Sequence, residues 1–209
     1  MTITYKTDDS FFIGIYPPFV YHGMSIKNWF IHNDIAKFRF IRDVEVENEF
    51  LNLKQVQELY PGIKTFGVVL NPWARMRQAF LTLNELKIAD TNRYAINAKL
   101  LDSLELENFD KFIEQLSTIP TDENLWFSIT TPLQSWISCS TSSGLLSTDY
   151  VLRGEQLEKD FKPIQEYFCT ANPLNLKPNI EYKEFYKTKT KKIVAKLFEQ
   201  DIDQFGYLY

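Results

Sequence analysis

The chain has 209 residues, of which 44% are hydrophobic and 24% charged, enough to bury a substantial core as one domain over 1–209 without disulfide or metal staples. A formal net charge of −4 excludes a general nucleic-acid binder, which needs a basic surface to displace counterions. No apolar run is long enough to span a bilayer, and Met1 to Asp9 lacks the charged and apolar segments of a secretory leader, so the expectation is a cytoplasmic protein with no membrane contact.

Phe11 to Tyr16 is an apolar run closed by Pro17-Pro18, the pattern of a buried strand entering a loop. Ile26, Trp29 and Phe30 then share helical spacing, with Ser25 as the expected N-cap. Phe38 to Val46 reads as a second strand. Leu51, Leu53, Val56, Leu59 and Tyr60 read as a helix stopped by Pro61-Gly62. Phe66 to Leu70 is a third strand, and Trp73, Met76, Phe80 and Leu83 line one face of the helix after Asn71-Pro72.

Phe109, Phe112, Ile113 and Leu116 mark a further amphipathic helix, and Trp126 to Ile129 a strand or loop edge. The Ser- and Thr-rich stretch from Ser135 to Ser147 reads as a long loop. Asp149 to Arg153 reads as a strand, and Pro163 is expected to start a new helix within Glu155 to Phe168. Ile193, Val194, Leu197, Phe198, Ile202 and Phe205 define one closing helix, rimmed by a solvated run at Lys187, Lys189, Lys191 and Lys192. Strands alternating with helices predict an α/β fold, a parallel sheet covered on both sides.

The turn from an apolar strand into a helix collects unpaired N–H groups and a positive dipole end, which suits phosphate or sulfate. Val68 to Phe80 makes such a turn at Asn71-Pro72-Trp73, and it resembles the segment Val-Arg-Asn-Pro-Trp-x-Arg-x-x-Ser-Ala-Tyr of carbohydrate-type sulfotransferases. Arg153 to Phe161 is similar to that family's Arg-Phe-Glu-Asn-Leu-x-x-Asp-Phe motif, and Tyr182 to Tyr207 to its closing segment. Pro132-Leu133-Gln134 with Trp136 also looks like a family segment.

The resemblance implies a P-loop-like parallel sheet flanked by helices, and transfer of a sulfuryl group from the co-substrate 3′-phosphoadenosine 5′-phosphosulfate (PAPS) to a hydroxyl of a carbohydrate or small acceptor. Such transfer needs donors on the leaving phosphate and a base beside the acceptor, and no metal is intrinsically required. The loop Pro17 to Ile26 stands where the family has Pro-Lys-x-x-Gly-Thr-Ser, so His22 is the candidate base or phosphate contact, with Gly23, Ser25 and Lys27 as nucleotide contacts. Asn71, Arg75, Arg77 and Arg153 complete the candidate nucleotide set.

The motif's lysine is absent here, Leu70 occupies the arginine position that would meet the 3′-phosphate, and Gln78 occupies the serine position. Each such bond to a charge contributes about 1.5 to 3 kcal/mol. Two further readings therefore stand beside the enzyme: a noncatalytic binding or interaction protein on the same fold, and a pocket rebuilt for another phosphorylated ligand. Arg75 and the pair Arg153 and Glu155 have structural readings as well, and Arg77 has one as a solvent-facing side chain. Trp73, Trp126 and Trp136 read as buried aromatics or stacking platforms. Residues Ser138 to Ser143 offer hydroxyls to a phosphate or form only a loop. Asp43, Glu45 and Glu47 offer a base or an acidic edge. His32 reads as a surface or packed side chain, and with two histidines and the two isolated, reduced thiols Cys139 and Cys169, no metal site is expected.

Overall fold

The computed structural model describes residues 2–6, 11–17, 19–20, 23–33, 37–40, 52–89, 98–118, 129–141, 144–176 and 180–209. In chain order the elements are β1 (Thr2–Lys6), β2 (Phe11–Ile15), α1 (Gly23–His32), β3 (Lys37–Phe40), α2 (Leu53–Leu59), β4 (Lys64–Val69), α3 (Pro72–Ala89), α4 (Ala98–Ser103) and α5 (Phe109–Leu116). There follow α6 (Gln134–Ile137), β5 (Ser138–Thr141), β6 (Gly144–Ser147), β7 (Tyr150–Arg153), α7 (Leu157–Tyr167), α8 (Thr188–Leu197) and α9 (Glu199–Phe205). They segregate into two units, one from residues 1–70 and 133–179 and the other from 71–132 and 180–209.

The first unit carries a five-stranded sheet in the order β3-β1-β2-β4-β7. Strands β2, β4 and β7 run parallel, with Ile15 opposite Gly67 and Val69 opposite Arg153. Such pairs need long crossovers, and the chain supplies them between β2 and β4 and between β4 and β7. The Asp149 carboxylate fixes the β4–β7 register by accepting from the Thr65 N–H at 2.7 Å and the Thr65 hydroxyl at 3.0 Å.

Successive residues of β4 face opposite sides of the sheet. Phe66 and Val68 join Leu152 of β7 in a cluster with Ile26, Trp29 and Phe30 of α1 and Leu157, Phe161 and Ile164 of α7. Trp29 meets Phe161 edge-on at 4.8 Å. On the other face Gly67 admits the Ile137 side chain of α6, since a β-carbon there would come within 2.9 Å of Ile137 Cβ. Helices thus flank the parallel strands on both faces.

The sheet is mixed rather than wholly parallel. Strand β1 pairs antiparallel with both β2 and β3, so the strand expected from Phe38 onward is an outer strand, beginning at Lys37. Residues 41–51, with Asp43, Glu45, Glu47 and Leu51, lie outside the described residues, as does Trp126.

The long loop expected over Ser135 to Ser147 is instead α6 followed by the β5–β6 hairpin, with Ser138 opposite Ser147. The stretch is held by antiparallel backbone pairing from Ser138 opposite Ser147 to Thr141 opposite Gly144. Pro163 neither starts nor breaks a helix but sits inside α7. An interior proline costs about 3 kcal/mol, and burying Leu157, Phe161 and Ile164 at roughly 1.5 to 3 kcal/mol each outweighs it.

Within the second unit α3, α5 and α8 pack against one another. Phe109, Phe112, Ile113 and Leu116 are all buried, as the spacing predicts. The single closing helix is two, α8 and α9, separated at Phe198 with φ −118° and ψ 31°. Phe198 is fully buried, as its place in the apolar stripe predicts, and so is Asp201, which the 3.6-residue period did not foretell. The lysine run is solvated as expected, with Lys187 and Lys189 exposed even as they pair with Asp110 at 2.6 Å and Glu114 at 2.8 Å, while half-buried Lys191 has Nζ 3.6 Å from the Tyr209 ring centre.

Candidate functional site

In parallel sheets, ligands collect where the carboxyl ends of the strands run into helices. Three such ends occur in the first unit: β2 leads by a short loop into α1, β4 ends at Val69, and β7 runs into the 3-10 turn Gly154–Gln156 and then α7. The loop after β2 carries Phe19 at φ 62°, a left-handed backbone that bulky residues rarely adopt. Strain of this kind costs about 1 to 3 kcal/mol and concentrates at functional sites.

Helix α1 starts at Gly23, so Ser25 is not its N-cap but the third residue of its first turn, with a buried side chain. The first N–H groups of a helix have no intrahelical acceptor, and in α1 these include residues 23–25. Gly23 has a local reason of its own: a β-carbon there would lie 3.0 Å from the Tyr16 ring. Lys27 is half-buried on the same helix, and His22 lies outside the described residues.

Arg153 stands at the end of β7. It holds Asp160 in a two-pronged grip, Nε to Oδ2 at 2.9 Å and Nη2 to Oδ1 at 3.1 Å, and its backbone N–H adds a third bond at 3.0 Å. Burial pushes the Asp160 carboxyl up, but the hydrogen bonds and charge of Arg153 outweigh it, and the group titrates below the usual range. The pair ties β7 to the first turn of α7, where a carboxylate also suits the helix dipole. The sequence reading paired Arg153 with Glu155 and met Asp160 only as the aspartate of the motif over Arg153 to Phe161; the carboxylate that grips Arg153 is that motif aspartate.

The other candidates belong to the second unit. Asn71 is 5% exposed, its Oδ1 accepts from the Trp73 N–H at 3.0 Å, and its Nδ2 donates to Leu208 O at 3.0 Å. It is the cap of α3, and Pro72 has no N–H to offer. The Asn-Pro-Trp turn therefore satisfies donors that the sequence suggested were free. Arg75 is 0% exposed, with Nη1 donating to Thr131 O at 2.9 Å and Cζ 5.5 Å from the Phe198 ring centre. Burial lowers its pKa to about 10, opposed by the charge of Asp201. Arg75 is thus an internal support rather than a surface contact. Gln78 donates to Thr82 Oγ1 at 2.7 Å along its own helix.

Protein-family models, curated proteins and solved structures yield no match to the chain. Trp73 and Trp136 are buried, at 4% and 6% exposure, and Trp73 Nε1 donates to Lys191 O at 3.1 Å. They are packing residues, and Ser138 bonds Gln134 O at 2.8 Å. Ser142 and Ser143 lie outside the described residues. His32 is exposed on α1 with Nδ1 2.6 Å from Asn28 O. Among the described residues no group of three or more His, Cys, Asp or Glu side chains could hold a metal, and no helix is long and apolar enough to cross a membrane.

Arg77 was expected beside a nucleotide or facing solvent. It lies instead under an aromatic roof, Cζ 3.7 Å from the Phe185 ring centre and 5.5 and 5.6 Å from those of Phe80 and Phe109. The sequence reading missed Phe185. Its signal was only a Tyr-x-x-Phe-Tyr cluster far along the chain.

Proposed function

We propose that the chain is a sulfotransferase-like protein with a P-loop-like phosphate turn, in which the β2–α1 segment receives the phosphosulfate end of PAPS. The observation that carries this reading is the strained loop between a parallel strand and the first turn of α1, with its N–H groups at residues 23–25. Gly23, Ser25 and Lys27 are the proposed contacts from α1, and Arg153 is a proposed contact from the end of β7. Arg153 can serve a ligand only through donors not spent on Asp160, so its first duty is to hold the strand end in place.

PAPS would supply an activated sulfuryl group. The residues' part is to neutralise charge as the bond from sulfur to the phosphate oxygen breaks, and to take the proton of a carbohydrate or small-molecule hydroxyl as the new bond to sulfur forms. His22, next to Gly23 in sequence, is the proposed proton acceptor. The burial of Arg75 and the internal bonds of Asn71 favour a second reading, in which the same turn binds a phosphorylated ligand without transfer.

Calorimetric titration with PAPS and with 3′-phosphoadenosine 5′-phosphate separates the two readings. Binding of both, weakened about tenfold or more by Lys27→Ala, together with sulfuryl transfer that His22→Ala removes, is the expected result for the enzyme. Binding without transfer across a panel of hydroxyl acceptors selects the second reading. No heat with either nucleotide at millimolar concentration refutes the PAPS reading.

A further inference from the structure

Arg77 is on α3, one helical turn beyond Trp73, and its guanidinium carbon lies 3.7 Å from the Phe185 ring centre. Its Nε is buried with no hydrogen-bond partner. Among the described residues no carboxylate comes within 4.0 Å of it, whereas Arg153 has Asp160. Glu184 acts on Arg77 only as a more distant charge, and burial lowers the guanidinium pKa against the raising influence of Tyr186 and Glu184. A cation partly stripped of water and lacking a counter-charge is costly, and an arriving anion relieves that cost.

The surroundings narrow the anion. Phe80, Phe109 and Phe185 bring aromatic faces but no donors, so a tetrahedral dianion would find one guanidinium and the opposing charge of Glu184. A planar monoanion can accept from both Nη groups at once, the edge of the guanidinium that remains open while Nε is buried. Phe185 is 37% exposed, which leaves apolar ring surface beside the cation for the body of the ligand. We propose that Arg77 and Phe185 form a binding site on the second unit for a carboxylate attached to an aromatic or aliphatic group, contributed by a free organic acid or by an acidic side chain next to an apolar residue in a peptide. Arg77 thereby leaves the candidate nucleotide set, and the site uses none of the residues proposed above as PAPS contacts, Gly23, Ser25, Lys27 and Arg153.

Isothermal titration of the full chain with phenylacetate, neutral phenylacetamide, inorganic sulfate and a blocked Phe-Asp dipeptide tests the site. Phenylacetate is expected to bind at least tenfold more tightly than phenylacetamide or sulfate, and Arg77→Gln is expected to weaken it tenfold or more. Phe185→Ser removes the exposed ring and serves where Arg77→Gln alters the far-ultraviolet circular dichroism. It is expected to weaken phenylacetate severalfold. A dipeptide that binds as well as phenylacetate assigns the site to a peptide, and phenylacetate binding alone assigns it to a free acid. Equal affinity for phenylacetate and phenylacetamide, or unchanged phenylacetate binding in folded Arg77→Gln or Phe185→Ser, overturns the proposal.

Discussion

Replacing Arg75 by methionine removes a cation from the interior while leaving an apolar chain of similar length. Arg75 and Asp201 are both 0% exposed, and the Asp201 charge is what opposes the fall in the Arg75 pKa. The variant leaves the Asp201 carboxylate buried without that cation, and it takes from Thr131 O a donor at 2.9 Å. An unmet carbonyl costs about 1 to 3 kcal/mol, and the buried Asp201 carboxylate also loses the cation whose charge acts on it. The expected loss is at least about 1 to 3 kcal/mol. Urea unfolding followed by circular dichroism reads it as a fall in midpoint at constant slope. Arg75→Met with Asp201→Asn removes both charges and should recover part of the loss. A single-variant loss below about 1 kcal/mol, or a double variant no more stable than the single, refutes the coupling of the two buried charges.

Asp160 gives a pH dependence. Its folded pKa lies below the ordinary value, so it contributes stability above about pH 4, the unfolded carboxyl value, and that contribution fades as the pH falls through the folded value. Asp160→Asn should lose about 1 to 2 kcal/mol at pH 7 and show a smaller fall in urea midpoint between pH 5 and pH 2 than the parent chain; parallel pH profiles would sink this assignment. Cys169 caps α7 at φ 52°, with its own N–H to Glu166 O and the Thr170 N–H to Gln165 O, both at 3.0 Å. That left-handed cap position favours glycine, so Cys169→Gly should raise stability by about 0.5 to 1 kcal/mol in the same urea assay, and a loss would contradict the strain argument.

Elements whose signal is local were legible. The spacing of Phe109, Phe112, Ile113 and Leu116 is enough to bury one face of α5, and the apolar run of β4 needs no distant partner to be read as a strand. Strand β1 was not legible, because Thr2-Ile-Thr-Tyr-Lys owes its state to backbone pairing with β2 and β3 on either side. The split at Phe198 escaped because Ile193, Leu197 and Ile202 keep a helical period across it, while the buried group that the bend accommodates, Asp201, answers to an arginine in α3.

At the candidate site the same competition decides the outcome residue by residue. Asn-Pro before a helix can leave donors free for an anion or close them with the asparagine itself, and Asn71 takes the second course. Arg75 and Arg77 are two residues apart on one helix, yet one is sealed inside and the other lies against an exposed ring. Which side of α3 is sealed depends on Phe198 and Asp201, far along the chain. No local pattern could have sorted the two arginines.

The order in which the two units are threaded has a consequence for synthesis. The chain leaves the first unit after Leu70, returns at Leu133 and leaves again after Asn179, so neither unit is a continuous piece of polypeptide. As the ribosome releases the chain, β4 must wait for β7, and Arg75 for the segment bearing Phe198 and Asp201. Native pairings this distant close late, and unpaired strand edges and apolar helix faces stay open meanwhile. Cutting the gene after Leu70 would split the first unit, after Asn179 the second, and after Pro132 both, so recombinant pieces should be joined by co-expression rather than made singly.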